Sequence, residues 1–116
     1  MPYQIDWNIS LDCLTSDDLL KKIEGARNFI LIDTIGTYGG NRCRIKGATT
    51  IPYPDVVDRR REFLGFQEII VYCKEKSCVA SKKVASALKM LNVPNVCVYE
   101  GGIMEWLRNG LPVEDY

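Results

Sequence analysis

The sequence predicts a single α/β domain, a mostly parallel central sheet with helices on both faces, and three observations point to it. Apolar runs of strand length, Phe29 to Asp33, Glu68 to Cys73 and Asn95 to Glu100, are separated by segments with helical spacing. The run Glu68-Ile69-Ile70-Val71-Tyr72-Cys73 does not alternate apolar with polar, as befits a strand covered on both faces. The connections are short, and strands alternating with helices through short loops pair in parallel.

Each element has its own local signal. Ile5 to Leu11 partly alternates and reads as an edge strand. Leu14 to Ile23 reads as a first helix: Thr15 or Ser16 can cap it, Asp17 and Asp18 suit its first turn, Lys21 and Lys22 its last, and Gly25 stops it. Phe29 to Asp33 is a strand, Ile35 to Lys46 a loop by its glycines, and Ala48 to Ile51 a short strand that stops at Pro52. Asp55 to Leu64 is a helix candidate, and Glu68 to Cys73 the central strand. Val79 to Leu91 is the longest helix, with Ala80, Val84, Ala87, Leu88 and Leu91 on one face. Asn95 to Glu100 follows Pro94 as a strand, and Gly102 to Arg108 closes the chain as a helix that ends at Asn109-Gly110. No repeat, linker or low-complexity segment divides the chain, so residues 1–116 form one domain.

Composition removes several function classes. With 116 residues the chain can bury a real core without disulfides or metals. Its 15 basic and 15 acidic residues cancel, which argues against nucleic acid or an anionic membrane as partner. The one basic cluster, Arg59-Arg60-Arg61, reads as the solvated face of a short helix, because no aromatic residues alternate with it as a stacking platform. No signal-like segment opens the chain and no apolar run has membrane-spanning length, so the expectation is a soluble cytoplasmic protein. Five cysteines, odd in number and without Cys-x-x-Cys spacing, fit a reducing compartment with one or two working thiols better than a disulfide framework or a zinc site. No metal or cofactor is called for. The chain has no histidine, which excludes chemistry in which imidazole takes the proton of a cysteine nucleophile.

Cys73 is the candidate nucleophile, because it ends the buried strand just before the longest helix begins. In open α/β sheets ligands bind at the carboxyl ends of strands, and a helix start presents unpaired N–H groups that stabilise an anion. Backbone amides of the loop, the helix end, Lys74 and Lys76 are the groups available to favour a thiolate here. Asp33, at another strand end, could orient the active loop or serve as a turn cap. Gly47 can let the chain turn tightly into the second strand, and Gly101-Gly102 can let the last loop approach the active loop closely. Trp106 is expected to anchor the core, and Cys97 to lie inert in an apolar strand; Cys13 and Cys43 read as incidental.

The chain resembles the single-domain rhodaneses, the sulfurtransferase family that includes thiosulfate sulfurtransferase, from about Thr15 to Val113. Ile32-Asp33 followed by Arg44-Ile45-Lys46-Gly47-Ala48 is similar to the family's first loop and the glycine segment before its short strand. Tyr72-Cys73 matches the catalytic strand end. Val98-Tyr99-Glu100-Gly101-Gly102-Ile103-Met104-Glu105-Trp106 with Gly110-Leu111-Pro112-Val113 is similar to the C-terminal signature. The resemblance implies transfer of sulfane sulfur. Cys73 attacks a small sulfur donor such as thiosulfate or a persulfide, holds the sulfur as a persulfide, and hands it to an acceptor thiol or cyanide. It further implies a substrate-binding loop of Lys74, Glu75, Lys76, Ser77, Cys78 and Val79, whose amides hold the charged sulfur, with Asp33 and Arg44 in support. The resemblance leaves three arrangements open: a domain that works alone, a homodimer, or a domain beside a separate sulfur-relay partner protein.

The loop departs from the family pattern. It is longer than usual and lacks glycine and arginine, with Cys78 where the arginine is common and Ile35 where another follows the first-loop aspartate. A lysine supplies only a point charge where arginine offers a planar fork, so Lys74 or Lys76 would attract thiosulfate without orienting it as well. The longer loops of related phosphatases and arsenate reductases keep an arginine, which ranks those chemistries low here. Cys78 could resolve a persulfide or sulfenate on Cys73, could itself be the more activated thiol, or could simply be a small half-buried residue at the helix start. Three functions therefore compete: a sulfurtransferase using Cys73, a redox protein cycling Cys73 and Cys78 between dithiol and disulfide, and a non-catalytic interaction module.

Overall fold

The computed structural model describes residues 11–25, 28–36 and 42–116. In chain order the elements are β1 (Asp12–Leu14), α1 (Ser16–Glu24), β2 (Phe29–Asp33), β3 (Cys43–Ile45), β4 (Thr49–Thr50), α2 (Tyr53–Val56), a 3₁₀ turn (Arg60–Glu62), β5 (Glu68–Tyr72), α3 (Ala80–Met90), β6 (Val96–Tyr99), α4 (Gly102–Arg108) and β7 (Val113–Asp115). Five strands form one parallel sheet in the order β1-β6-β5-β2-β4, while β3 and β7 pair antiparallel as a separate ribbon. The expected α/β domain with a parallel sheet is the observed one.

Alternation along the three central strands divides the core. Ile32, Ile69, Val71, Val96 and Val98 point to one face, where they meet Val84, Ala85 and Leu88 of α3, Val56 of α2 and Phe63. Leu31, Ile70, Tyr72 and Tyr99 point to the other, against Leu19 of α1 and Ile103 and Trp106 of α4. Side chains thus leave β5 on both sides into packed layers, which is why its sequence shows no polar alternation. Each fully buried aliphatic side chain contributes about 1.5–3 kcal/mol through its removal from water.

The caps behave as their residue types require. Thr15 Oγ1 accepts the amide of Asp18 at 3.1 Å, Asp17 and Asp18 occupy the first turn of α1, and the Gly25 amide closes its last turn on the carbonyls of Lys21 and Lys22. Gly47 stands at φ +86 in the turn before β4, where the Ala48 amide returns to Ile45 O at 3.0 Å. Trp106 is fully buried, donates its indole N–H to Pro112 O at 2.7 Å and meets Tyr99 edge-on at 5.8 Å.

Four expectations differ from the structure. The expected strand over residues 5–11 falls almost entirely outside the described residues, and the described edge strand is β1. The helix expected over Asp55 to Leu64 is two short pieces, α2 and the 3₁₀ turn. Asp58-Arg59-Arg60-Arg61-Glu62 carries no apolar side chain to extend a stripe from Val56, and a helix without a buried face lacks its main support. Arg59 is exposed in this segment and pairs with Glu62 at 2.7 Å. The loop expected over Ile35 to Lys46 contains β3, and the chain after Gly110 contains β7. Both are short strands whose pairing joins residues 70 apart, so no local pattern announces them.

Candidate active site

Cys73 stands one residue beyond the carboxyl end of β5, in the row of residues that also holds Thr34 after β2 and Glu100 after β6. Its approach is held from several directions. The carbonyl of Tyr72 accepts both the amide and the hydroxyl of Thr34, at 3.1 and 2.8 Å, and the Tyr72 hydroxyl accepts the Ile45 amide at 3.0 Å. The first amides of α4 then take over: Ile103 N–H donates to Cys73 O at 3.1 Å and Met104 N–H to Lys74 O at 3.0 Å. Gly102 permits this contact, because it adopts φ +68 and a Cβ there would stand 2.5 Å from Cys73 O. The close approach that the sequence ascribed to the glycine pair is therefore carried by Gly102.

The loop from Cys73 to Ala80 folds back over the first turn of α3. Cys73 Sγ lies 3.3 Å from Ser81 Oγ and 3.4 Å from the Cys78 carbonyl oxygen, and the Cys78 amide donates to Glu75 O at 3.0 Å. The two loop cysteines are neighbours, and the surroundings of their thiols differ. Burial and the bond to Cys78 push the Cys73 thiol above its ordinary range, against the pull of the Ser81 hydroxyl and amide. Partial burial acts in the same direction on Cys78, yet the bond from Cys73 and the amides of Ala80 and Lys74 outweigh it and hold that thiol below the ordinary range. Of the two thiols, Cys78 is the one whose surroundings favour the charged form.

The other residues named from sequence fall in three groups. Lys74, Glu75, Lys76 and Ser77 form the exposed rim of the loop, where Ser77 Oγ donates to Glu75 at 2.7 Å. Lys82 of α3 holds that rim through Lys76 O at 3.4 Å and also pairs with Glu100 at 3.8 Å. Val79 caps α3 with an exposed side chain. Asp33 is fully buried and serves the turn after β2: Oδ1 accepts the amides of Ile35 and Gly36, and Oδ2 accepts the hydroxyls of Thr50 and Tyr116. Arg44 joins the same cluster through Thr50 Oγ1 and Glu114, both at 3.1 Å, with its guanidinium over the Tyr116 ring. The hydrogen bonds of Asp33 and Arg44 thus go to this cluster and not to the loop thiols.

A cleft of about 470 Å³ opens beside the loop, bounded by Thr34, Ile35, Pro52, Tyr53, Asp55 and Cys78 among others. Cys78 faces it and Cys73 does not; Cys73 is only 2% exposed. Ser81 and this cleft were not singled out from sequence. A polar residue in the first turn of the helix that follows a candidate nucleophile is the signal that points to Ser81. Cys97 is half-buried in β6, Cys43 is half-buried, and Cys13 is exposed.

Comparison with known proteins agrees with this architecture. The model of the rhodanese-like domain matches residues 11–109. An HTH-type transcriptional regulator of Mycobacterium tuberculosis is 29% identical over 104 residues; the match covers 90% of this chain, which spans 45% of that relative's length. The rhodanese-like domain of an Anabaena protein superposes with a TM-score of 0.76 at 24% identity, covering 93% of this chain and 81% of that one. A thiosulfate sulfurtransferase of Pseudomonas aeruginosa superposes with a TM-score of 0.70 at 18% identity, covering 90% of this chain and 20% of that one. At such identities the likeness to these two structures is one of fold.

Proposed function

This chain belongs to the rhodanese-like domain family, and from that premise we propose that it is a sulfurtransferase working through a persulfide on Cys73. The observation that carries the reading is the position of the Cys73 sulfur: at the carboxyl end of the central strand and 3.3 Å from the hydroxyl of Ser81 in the first turn of α3. A donor such as thiosulfate is attacked at its outer sulfur. The new bond joins that sulfur to Cys73 Sγ, the bond to the sulfite group breaks, and sulfite leaves with the electron pair. The Cys73 proton is lost to solvent as the nucleophile forms, and the Ser81 hydroxyl 3.3 Å away favours the thiolate, so no imidazole is required. An acceptor thiol or cyanide then attacks the outer sulfur of the persulfide and returns Cys73 to the thiol state. Preorganised donors around such a charged sulfur typically supply a few kcal/mol to the step.

The test is thiocyanate formation from thiosulfate and cyanide. The wild type is expected to turn over, with activity abolished in Cys73→Ser; activity that survives in Cys73→Ser would refute the assignment.

A second reading, a protein that cycles between dithiol and disulfide, is favoured by the closeness of the two residues, since the Cys73 sulfur lies 3.4 Å from the Cys78 carbonyl oxygen. It differs in requiring both cysteines for every turnover and in leaving no sulfur bound.

A further inference from the structure

The two thiols of the loop have unequal access to solvent and to the amides around them. Cys73 is 2% exposed and stands behind the loop, whereas Cys78 is half-buried and lines the cleft with Thr34, Ile35, Pro52, Tyr53 and Asp55. The amides of Lys74 and Ala80 favour the charged form of Cys78. The Cys73 sulfur lies 3.4 Å from the Cys78 carbonyl oxygen, so Cys78 is the cysteine that touches both the buried sulfur and the cleft.

We propose that Cys78 is a second sulfur-carrying residue, a port that takes the sulfane sulfur from Cys73 and presents it to an acceptor thiol in the cleft. This rests on the sulfurtransferase reading above. In the step, the Cys78 thiolate attacks the outer sulfur of the protonated Cys73 persulfide. A bond forms between Cys78 Sγ and that sulfur, and its bond to Cys73 Sγ breaks. The electron pair returns to Cys73 Sγ, which ends as the thiol once it takes up the proton, and the persulfide anion now stands on Cys78. The sulfane sulfur changes carrier with no net oxidation or reduction, so no further reagent is consumed. A thiol held below its ordinary range suits Cys78 to both halves of the exchange, since it gives up its proton more readily than Cys73 and is the better leaving group toward the next thiol.

The cleft indicates what that acceptor is. Its lining includes Ile35, Pro52, Tyr53 and Pro54 together with the carboxylate residue Asp55. This surface suits a thiol carrying an apolar or aromatic body and disfavours an anionic one.

The test is site-resolved mapping. Wild-type protein and Cys78→Ser are loaded with thiosulfate or a small persulfide, alkylated and digested with trypsin, which cuts at Lys74 and Lys76 and places the two cysteines on different peptides. In the wild type the added sulfur is expected on both the Cys73 and the Cys78 peptide. In Cys78→Ser it is expected on Cys73 alone, with discharge to an arylthiol slowed about tenfold or more and discharge to cyanide slowed less. Sulfur that never leaves the Cys73 peptide in the wild type, with equal arylthiol rates in both proteins, would overturn the port while leaving the sulfurtransferase reading intact. A Cys73–Cys78 disulfide with released sulfide as the wild-type product would also overturn it, in favour of a resolving role. No sulfur on Cys73 in either protein would overturn the underlying reading itself.

Discussion

The Cys73 carbonyl lies where a side chain on Gly102 would have to be. A Cβ on Gly102 would stand 2.5 Å from Cys73 O and 2.6 Å from Lys74 C and O, and none of these backbone atoms can swing aside. Gly102 also holds φ +68, a conformation that costs other residues about 1–2 kcal/mol. Gly102→Ala is therefore expected to lose about 3 kcal/mol or more, measured as the shift of a urea unfolding midpoint. Gly110→Ala is the control: φ +65 with open space around it predicts a loss of only about 1 kcal/mol. Equal losses for the two would show that the loop does not rest on Gly102.

Cysteine reactivity should not follow exposure. Cys13 is exposed, but partial burial of its sulfur, a hydrogen bond to Glu100 and that carboxylate's charge push its thiol up to about 11. Cys78 is half-buried and held below the ordinary thiol range. Only the thiolate reacts, so at neutral pH a limiting amount of iodoacetamide should modify Cys78 before Cys13, and Cys13 should gain reactivity only as pH rises toward about 11. Faster labelling of Cys13 at neutral pH would contradict the geometry of the loop.

Ser81 favours the charged form of Cys73 through its hydroxyl at 3.3 Å. Ser81→Ala removes that donor and should move the Cys73 thiol further up. Sulfur loading at neutral pH is expected to slow by about tenfold, with the rate recovering as pH rises. A merely structural role would lower the rate equally at every pH.

Asp33 accepts from two amides and two hydroxyls, so its carboxylate faces donors on both oxygens. Asp33→Asn places an NH₂ group against one of those pairs. A loss of about 1–3 kcal/mol in stability is expected, read from thermal unfolding. Unchanged stability would show that the turn after β2 does not depend on this network.

The sheet was legible in the sequence because its signals are local. Ile69, Ile70 and Val71 declare a strand with two covered faces, and the cap of α1 is written in Thr15, Asp17, Asp18 and Gly25. Cys73 at the strand end and Gly102 beneath it were likewise readable, each from its place in the chain. The β3–β7 ribbon was not, because Cys43–Ile45 and Val113–Asp115 are strands only by virtue of each other. The inequality of the two loop thiols was equally hidden. Spacing brings Cys78 near the helix start, but which of the two thiols is pushed up and which is held down depends on how the loop folds back, which no local pattern encodes.

The most direct test of sulfur transfer at Cys73 is intact-mass spectrometry of the fully reduced protein after exposure to thiosulfate, and separately to a low-molecular-weight persulfide. A gain of one sulfur atom that is present in the wild type and absent in Cys73→Ser is the expected result. No gain with either donor, or a loss of two hydrogens that needs both Cys73 and Cys78, would contradict it.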